Sequence, residues 1–190
     1  MRTLLPVLIC VFAVFAGCAP GTNSAADAVP RRHAYPRVEP YDSAYRTVAL
    51  APFTFRIAAE APSKRTGENW LDVFYPRYGA TMHLSASRFG SADEAAEALA
   101  NRRQRISLNT GGALARTDFF DNDAGLACEM TVCSEGVATP VQFIATDGKS
   151  LMLSGAVMIN GPITPADSIR PIINLLQDEA FTILSSIRKR

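Results

Sequence analysis

The sequence predicts an α+β domain: an antiparallel β-sheet of about six to seven strands with two helices packed on it. Three observations predict it. Short runs with an apolar residue at every second position recur along the chain, as half-buried strands require. One alanine-rich segment, opened by Ser91-Ala92-Asp93-Glu94, interrupts them. From Ile169 to Ile187, apolar residues recur at three- and four-residue steps, the period of an amphipathic helix. The element order reads βββ-α-ββββ-α.

Phe53, Phe55 and Ile57 alternate with Thr54 and Arg56 and predict the first strand. A polar loop runs on through Gly67, and Trp70 to Tyr75 is the second strand. Pro76-Arg77-Tyr78-Gly79 turns the chain into the third, Thr81 to Ser87. There Met82, Leu84 and Ala86 share one face, and His83, Ser85 and Ser87 the other. Ser91 as N-cap and Glu94 reaching back open a helix that carries Ala92, Ala95, Ala96, Leu99 and Ile106, and Gly111-Gly112 ends it. Four strands follow: Leu114 to Phe120, Leu126 to Val132, Pro140 to Thr146 and Leu151 to Ile159. Asp121-Asn122-Asp123-Ala124-Gly125 reads as a turn, and Asp147-Gly148 as the strongest hairpin signal in the chain. In the last helix Pro171 is compatible with the first turn if Asp167 is the cap.

Ahead of this domain, residues 53–190, the chain changes character. Arg2, the apolar run from Leu4 to Phe15, and Ala16-Gly17 before Cys18 stand in the order of a lipoprotein signal. The run is shorter than the roughly 18 to 20 apolar residues of a membrane-spanning helix. It resembles the lipobox of bacterial lipoproteins. The resemblance implies cleavage of a 1–17 signal peptide and acylation of Cys18, and two or more acyl chains hold a protein on a bilayer stably. Residues 18–30 are small, polar and proline-broken and predict a flexible tether, on the order of 40 Å long at about 3.3 Å per residue. Residues 31–52, with Tyr35, Pro36, Pro40, Tyr41 and Pro52, predict an extended segment whose tyrosines dock on the domain or on a partner.

Charge and motifs narrow the function. Without residues 1–17, Arg2 is lost from 19 basic residues and the balance against 18 acidic ones is even. That argues against nucleic acid, which needs clustered positive charge. Arg102, Arg103 and Arg105, and Arg188 to Arg190, read as solvated helix ends. With Cys10 removed and Cys18 lipidated, Cys128 and Cys133 remain. On a flat strand they point to opposite faces, so a disulfide needs a bulge between them; bridge and free thiols both stay open. The only histidines are His33 and His83, and no HExxH, Gly-x-Ser-x-Gly or phosphate-cradling loop occurs. Asp118, Asp121, Asp123 and Glu129 miss the EF-hand spacing. No catalytic residue, metal or cofactor is therefore expected.

The element order is similar to that of PsbP- and Mog1-like sandwiches. A closer resemblance lies in ordered motifs: Tyr35-Pro36-Arg37, Phe53-Thr54-Phe55, Trp70 to Pro76, Ala80 to Ser85, Pro140 to Phe143, Thr146-Asp147, Gly155-Ala156 and Asp167 to Pro171. In that order they resemble GldD, the gliding-motility lipoprotein family of Bacteroidota, over residues 31–188. The chain departs from that pattern around Cys128 to Gly136, where the family tends to have a plain strand without cysteines. The resemblance implies a periplasmic accessory protein of gliding and the linked type IX secretion machinery. Its membrane contact would run through the N-terminal lipid, with other envelope lipoproteins or secretion and motility proteins as partners. Tyr35, Tyr41 and Tyr78 are the candidate partner contacts. Ala19, not the aspartate that retains lipoproteins at the inner membrane, points to an outer-membrane anchor facing the periplasm. The alternative is a periplasmic module binding a small ligand or cell-wall fragment, on a face where Thr81, His83, Ser85 and Ser87 converge.

Overall fold

The computed structural model describes residues 38–134, 136–161 and 166–190, with no side chain of 166–168. The expectations for the 1–17 signal peptide, Cys18, the 18–30 tether, His33, Tyr35 and the Asp167 cap side chain lie outside the described residues. The chain runs β1 (Tyr45–Leu50), β2 (Phe53–Ala58), β3 (Ser63–Gly67), β4 (Trp70–Tyr75), a 3-10 turn (Pro76–Tyr78) and β5 (Ala80–Arg88). It continues through α1 (Ala92–Thr110), β6 (Ala115–Asp121), β7 (Ala127–Cys133), β8 (Val141–Thr146), β9 (Leu151–Ile159), α2 (Ala166–Ser186) and β10 (Arg188–Lys189). The α+β class and the element order are as the sequence predicts.

Seven strands pair in the order β3-β4-β5-β9-β8-β7-β6, every neighbour antiparallel. Two meanders, β3-β4-β5 and β6 to β9, thus meet where β9 pairs with β5. A second sheet, β1-β2-β10, stands apart. The seven-stranded sheet is the one the sequence predicts, but the first predicted strand, β2, falls in this second sheet. Phe53, Phe55 and Ile57 of β2 are fully buried, but against α2 rather than through a ladder with the large sheet. Three strands were not expected. β1 lies inside the proline-rich segment and pairs with β2 from Tyr45 to Leu50. β3 occupies the predicted polar loop as an exposed edge strand, Ser-Lys-Arg-Thr-Gly, whose charges discourage further pairing. β10 places Arg188 and Lys189 opposite Thr54 and Phe53, so this basic cluster pairs in the second sheet directly after α2, with Arg188 donating to the Ser185 carbonyl at 3.4 Å.

Between the large sheet and the layer of α2 with β2 lies the main core. Leu71, Val73 and Tyr75 of β4, Met82, Leu84 and Ala86 of β5, Phe143 of β8 and Leu153 and Val157 of β9 supply one side. Ile169, Ile173, Leu176, Ala180, Ile183, Leu184 and Ile187 supply the other, the stripe read from the helical period. α2 is described from Ala166, and Pro171 lies inside it.

One carboxylate enters this core. Glu179 on α2 is buried and accepts from the Tyr75 hydroxyl at 3.4 Å. Burial raises the Glu179 pKa above the ordinary carboxylate value, against the opposing bonds from Tyr75 and the Ala58 backbone. A carboxyl whose folded pKa is raised lends stability that is fully present below its unfolded value near 4.5. That contribution is lost as pH rises through the folded pKa. Glu179→Gln is therefore expected to be more stable than the parent chain at pH 7, with the difference vanishing near pH 4.5. Urea melts at the two pH values measure it, and an equal destabilisation at both would contradict the assignment.

Tyr75 also anchors the segment before β1. Tyr41 meets the Tyr75 and Tyr78 rings edge-on at 5.8 and 5.2 Å, and Tyr75 and Tyr78 stack at 6.2 Å. The Tyr78 hydroxyl accepts from the Tyr41 N–H at 3.1 Å and donates to the Glu39 carbonyl at 3.2 Å. Arg77 lies over the Tyr41 ring at 4.7 Å. The described part of the proline-rich segment, residues 38–52, thus docks on its own domain.

Candidate functional site

Chain connectivity makes the site. α1 leaves β5, and β6 lies beyond β9, β8 and β7. It must cross roughly 19 Å of sheet at about 4.8 Å per strand, on the face opposite α2. Ser91 caps its start by accepting from the Glu94 N–H at 3.2 Å, and Glu94 accepts from the Gly90 N–H at 2.8 Å. Its apolar footing is small: Ile106 packs with Ile144 and Met152, flanked by Phe89, Ala98 and Leu99. Polar contacts do the rest. Arg103 makes a bidentate ion pair with Glu129, Asn109 donates to Gln142 at 2.9 Å, and Arg102 donates to the Gly155 carbonyl at 3.3 Å.

Under the helix, strand register aligns one transverse row: Trp70, Ser85, Ser154, Ile144, Glu129 and Phe119. Ile144, held by Ile106, divides that row. On the β6–β7 side a groove of about 530 Å³ runs past Thr117, Thr131 and the exposed Phe119. On the β4–β5–β9 side a cleft of about 450 Å³ opens between the sheet and α1.

His83, Ser85 and Ser87 line this second cleft, as strand alternation predicts, but Thr81 does not. Thr81 is buried and accepts from Asn160 at 3.0 Å. His83 Nδ1 is 2.7 Å from Asp72 Oδ1, its cross-strand neighbour. The Ser85 and Ser154 hydroxyls are hydrogen-bonded at 2.9 Å. Trp70 stands at the edge, 56% exposed, with Asn69 beside it. From above, α1 contributes Asn101, Arg102 and Arg105. Arg102 corrects the reading of solvated helix ends: it sits mid-helix and part-buried on the side turned to the sheet, while Arg105 lines the cleft from an exposed position. Arg102 Nε is buried and has no hydrogen-bond partner among the described residues. Burial, reinforced by the nearby Arg105 charge, lowers the Arg102 pKa. No carboxylate lines the cleft.

The other candidate residues fall elsewhere. Tyr78 is buried in the tyrosine cluster, and Tyr41 is half-buried beside it. Cys128 and Cys133 are free and buried, so the disulfide is not formed. β7 is regular between them, with Cys128 opposite Phe120 and Cys133 opposite Ala115. Five positions along a regular strand put the two thiols on opposite faces. Burial, together with the Asp121 charge, pushes the Cys128 thiol up to about 11. Among the described residues no three His, Cys, Asp or Glu side chains come together as a metal site. Of the residues that sequence reading missed, Trp70 had a signal: it begins a strand whose Leu71, Val73 and Tyr75 face the core. Ser154 had one too, lying between Leu153 and the close-packed Gly155.

Among the described residues no helix is long and apolar enough to cross a membrane. No curated protein gives a significant match to the chain. The profile of the family described as gliding motility lipoprotein GldD matches residues 25–188. That span includes every strand of the large sheet, both helices and the cleft between α1 and β4–β5–β9, and the chain belongs to the GldD family of gliding-motility lipoproteins.

Proposed function

We propose that this protein is a lipid-anchored, non-catalytic accessory subunit that serves gliding motility and the linked type IX secretion machinery through protein–protein contacts. Its anchor is acylated Cys18, in the outer membrane and facing the periplasm. Membership of a gliding-motility lipoprotein family carries the reading. The charge–apolar–small–Cys order at residues 2–18 supports the anchor. The state of the thiols supports a non-catalytic role: both thiols of the domain are buried. β6 offers a contact surface, because it ends the sheet order and carries Phe119, 69% exposed.

Cys18→Ala is expected to leave the domain folded, move the protein out of the membrane fraction and abolish motility or secretion. Fractionation and a motility or secretion assay at matched protein levels check it. Full function from the unanchored variant would end the reading.

A further inference from the structure

We infer that the cleft between α1 and the β4–β5–β9 face is a binding site for a small acidic saccharide, its anionic group on Arg102 and Arg105 and a sugar face on Trp70. The volume, about 450 Å³, lies within the roughly 300–1,000 Å³ of small-molecule sites. Two guanidinium groups one helical turn apart share the cleft without a carboxylate to balance them. None stands a turn away on the helix either: Arg102 is followed and preceded at those steps by Ala98, Leu99, Arg105 and Ile106, and Arg105 by Asn101, Arg102, Leu108 and Asn109. Such a pair repels itself until an anion bridges it, and the guanidinium fork fits carboxylate and phosphate oxygens alike.

Arg102 is already placed for this. One nitrogen of its fork is tied to the Gly155 carbonyl, which holds the side chain under the helix. Its Nε remains buried and unpaired, a state that costs free energy until an acceptor arrives.

The rest of the wall selects the body of the ligand. Ser85 and Ser154 bond each other, yet each hydroxyl oxygen keeps capacity for a further partner. With Asn69 and Asn101 they give donors and acceptors suited to a polyhydroxylated ring. Trp70 adds one broad apolar face at the mouth, matched to the C–H face of a pyranose. A lipid chain would leave these polar groups unpaired. This site is independent of the anchoring role, and its test reads binding and not motility.

Trp70 is the only tryptophan in the chain, so its fluorescence reports the cleft directly. The full-length lipoprotein in detergent is titrated with glucuronate, glucose 6-phosphate, neutral glucose and inorganic phosphate. One or both acidic sugars are expected to give a saturable change at least tenfold tighter than glucose and than inorganic phosphate. Which acidic sugar binds tells whether the site reads a carboxylate, a phosphate or either. Arg105→Gln, at an exposed position, and Arg102→Lys, which keeps the charge and loses the fork, are each expected to weaken that binding at least tenfold at unchanged melting temperature. Binding of no acidic sugar, equal binding of glucose or inorganic phosphate, or indifference to Arg105→Gln would overturn the assignment.

Discussion

Gly155→Ala is expected to destabilise the domain by about 3 kcal/mol, a fall in melting temperature on the order of 6–12 °C for a chain of this size. A methyl group there would lie 2.1 Å from Phe143 Cζ and 2.5 and 2.6 Å from its Cε atoms. Real carbon atoms do not approach so closely, and neither side has room to yield. Phe143 is fully buried and lies directly across from Gly155 in the β8–β9 register. On its other flank Gly155 pairs with Leu84, also fully buried. The glycine is thus present for its lack of a side chain, which lets the phenyl ring rest on the strand. A partial rescue follows: Phe143→Leu is expected to cost stability alone, yet less than additively with Gly155→Ala. Urea denaturation of the four chains measures the coupling. A Gly155→Ala change of under 0.5 kcal/mol on the scale of surface substitutions would refute the packing argument. Because Arg102 bonds the Gly155 carbonyl, a displaced strand would also disturb the cleft above it.

What could be read in advance divides by the source of each element's stability. β4, β5 and β9 carry their own alternation, and α1 its own capping box, so their bounds were legible to within a residue or two. Asp147-Gly148 was legible for a local reason. The Asp147 carboxylate accepts from the Lys149, Ser150 and Leu151 N–H groups at 2.9 to 3.0 Å. Burial alone would raise its pKa, but these bonds hold it down to about 2. β1, β3 and β10 were not legible, since each exists through its partner. Lys64 and Arg65 have no strand signal until β4 supplies a ladder. Strand propensity is largely a statement about neighbours, and neighbours are what a lone sequence lacks.

The cleft shows the same division. Its floor follows from period-two alternation, which put His83, Ser85 and Ser87 opposite Met82, Leu84 and Ala86. Its roof depends on how α1 is rolled about its axis, and the anchor for that roll is Ile106 against Ile144. Arg102, Arg103 and Arg105 on a mostly polar helix look solvated from every direction until that one contact is known. Tyr78 erred the opposite way: a tyrosine in a Pro-Arg-Tyr-Gly turn reads as surface, while here it closes the tyrosine cluster over Glu179.

Asn122→Ala is expected to cost about 2–4 kcal/mol, although it lies in a turn. Its side chain joins two ends of the fold. Oδ1 accepts from the Ala124 and Leu126 N–H groups at 2.9 and 3.0 Å, which shapes the β6–β7 turn. Nδ2 donates to the Leu184 and Ile187 carbonyls at 3.0 and 3.3 Å. The last carbonyls of a helix have no partner within it, so Asn122 caps the end of α2 from the far side of the core. Alanine takes these partners from the buried Leu126 N–H and the Leu184 carbonyl, while the Ile187 carbonyl keeps Arg188 Nη1 at 3.0 Å. Asn122→Asp separates the two halves of the role. It keeps the acceptors for the turn, but aims a carboxylate at two carbonyl oxygens, so it is expected to be as damaging as alanine at pH 7. Protonation restores one donor, and the aspartate chain should regain part of its stability near pH 4 relative to the alanine chain. Equilibrium urea melts at both pH values distinguish the cases. If Asn122→Ala costs under 1 kcal/mol, the helix end is satisfied by other groups and the turn is only a turn.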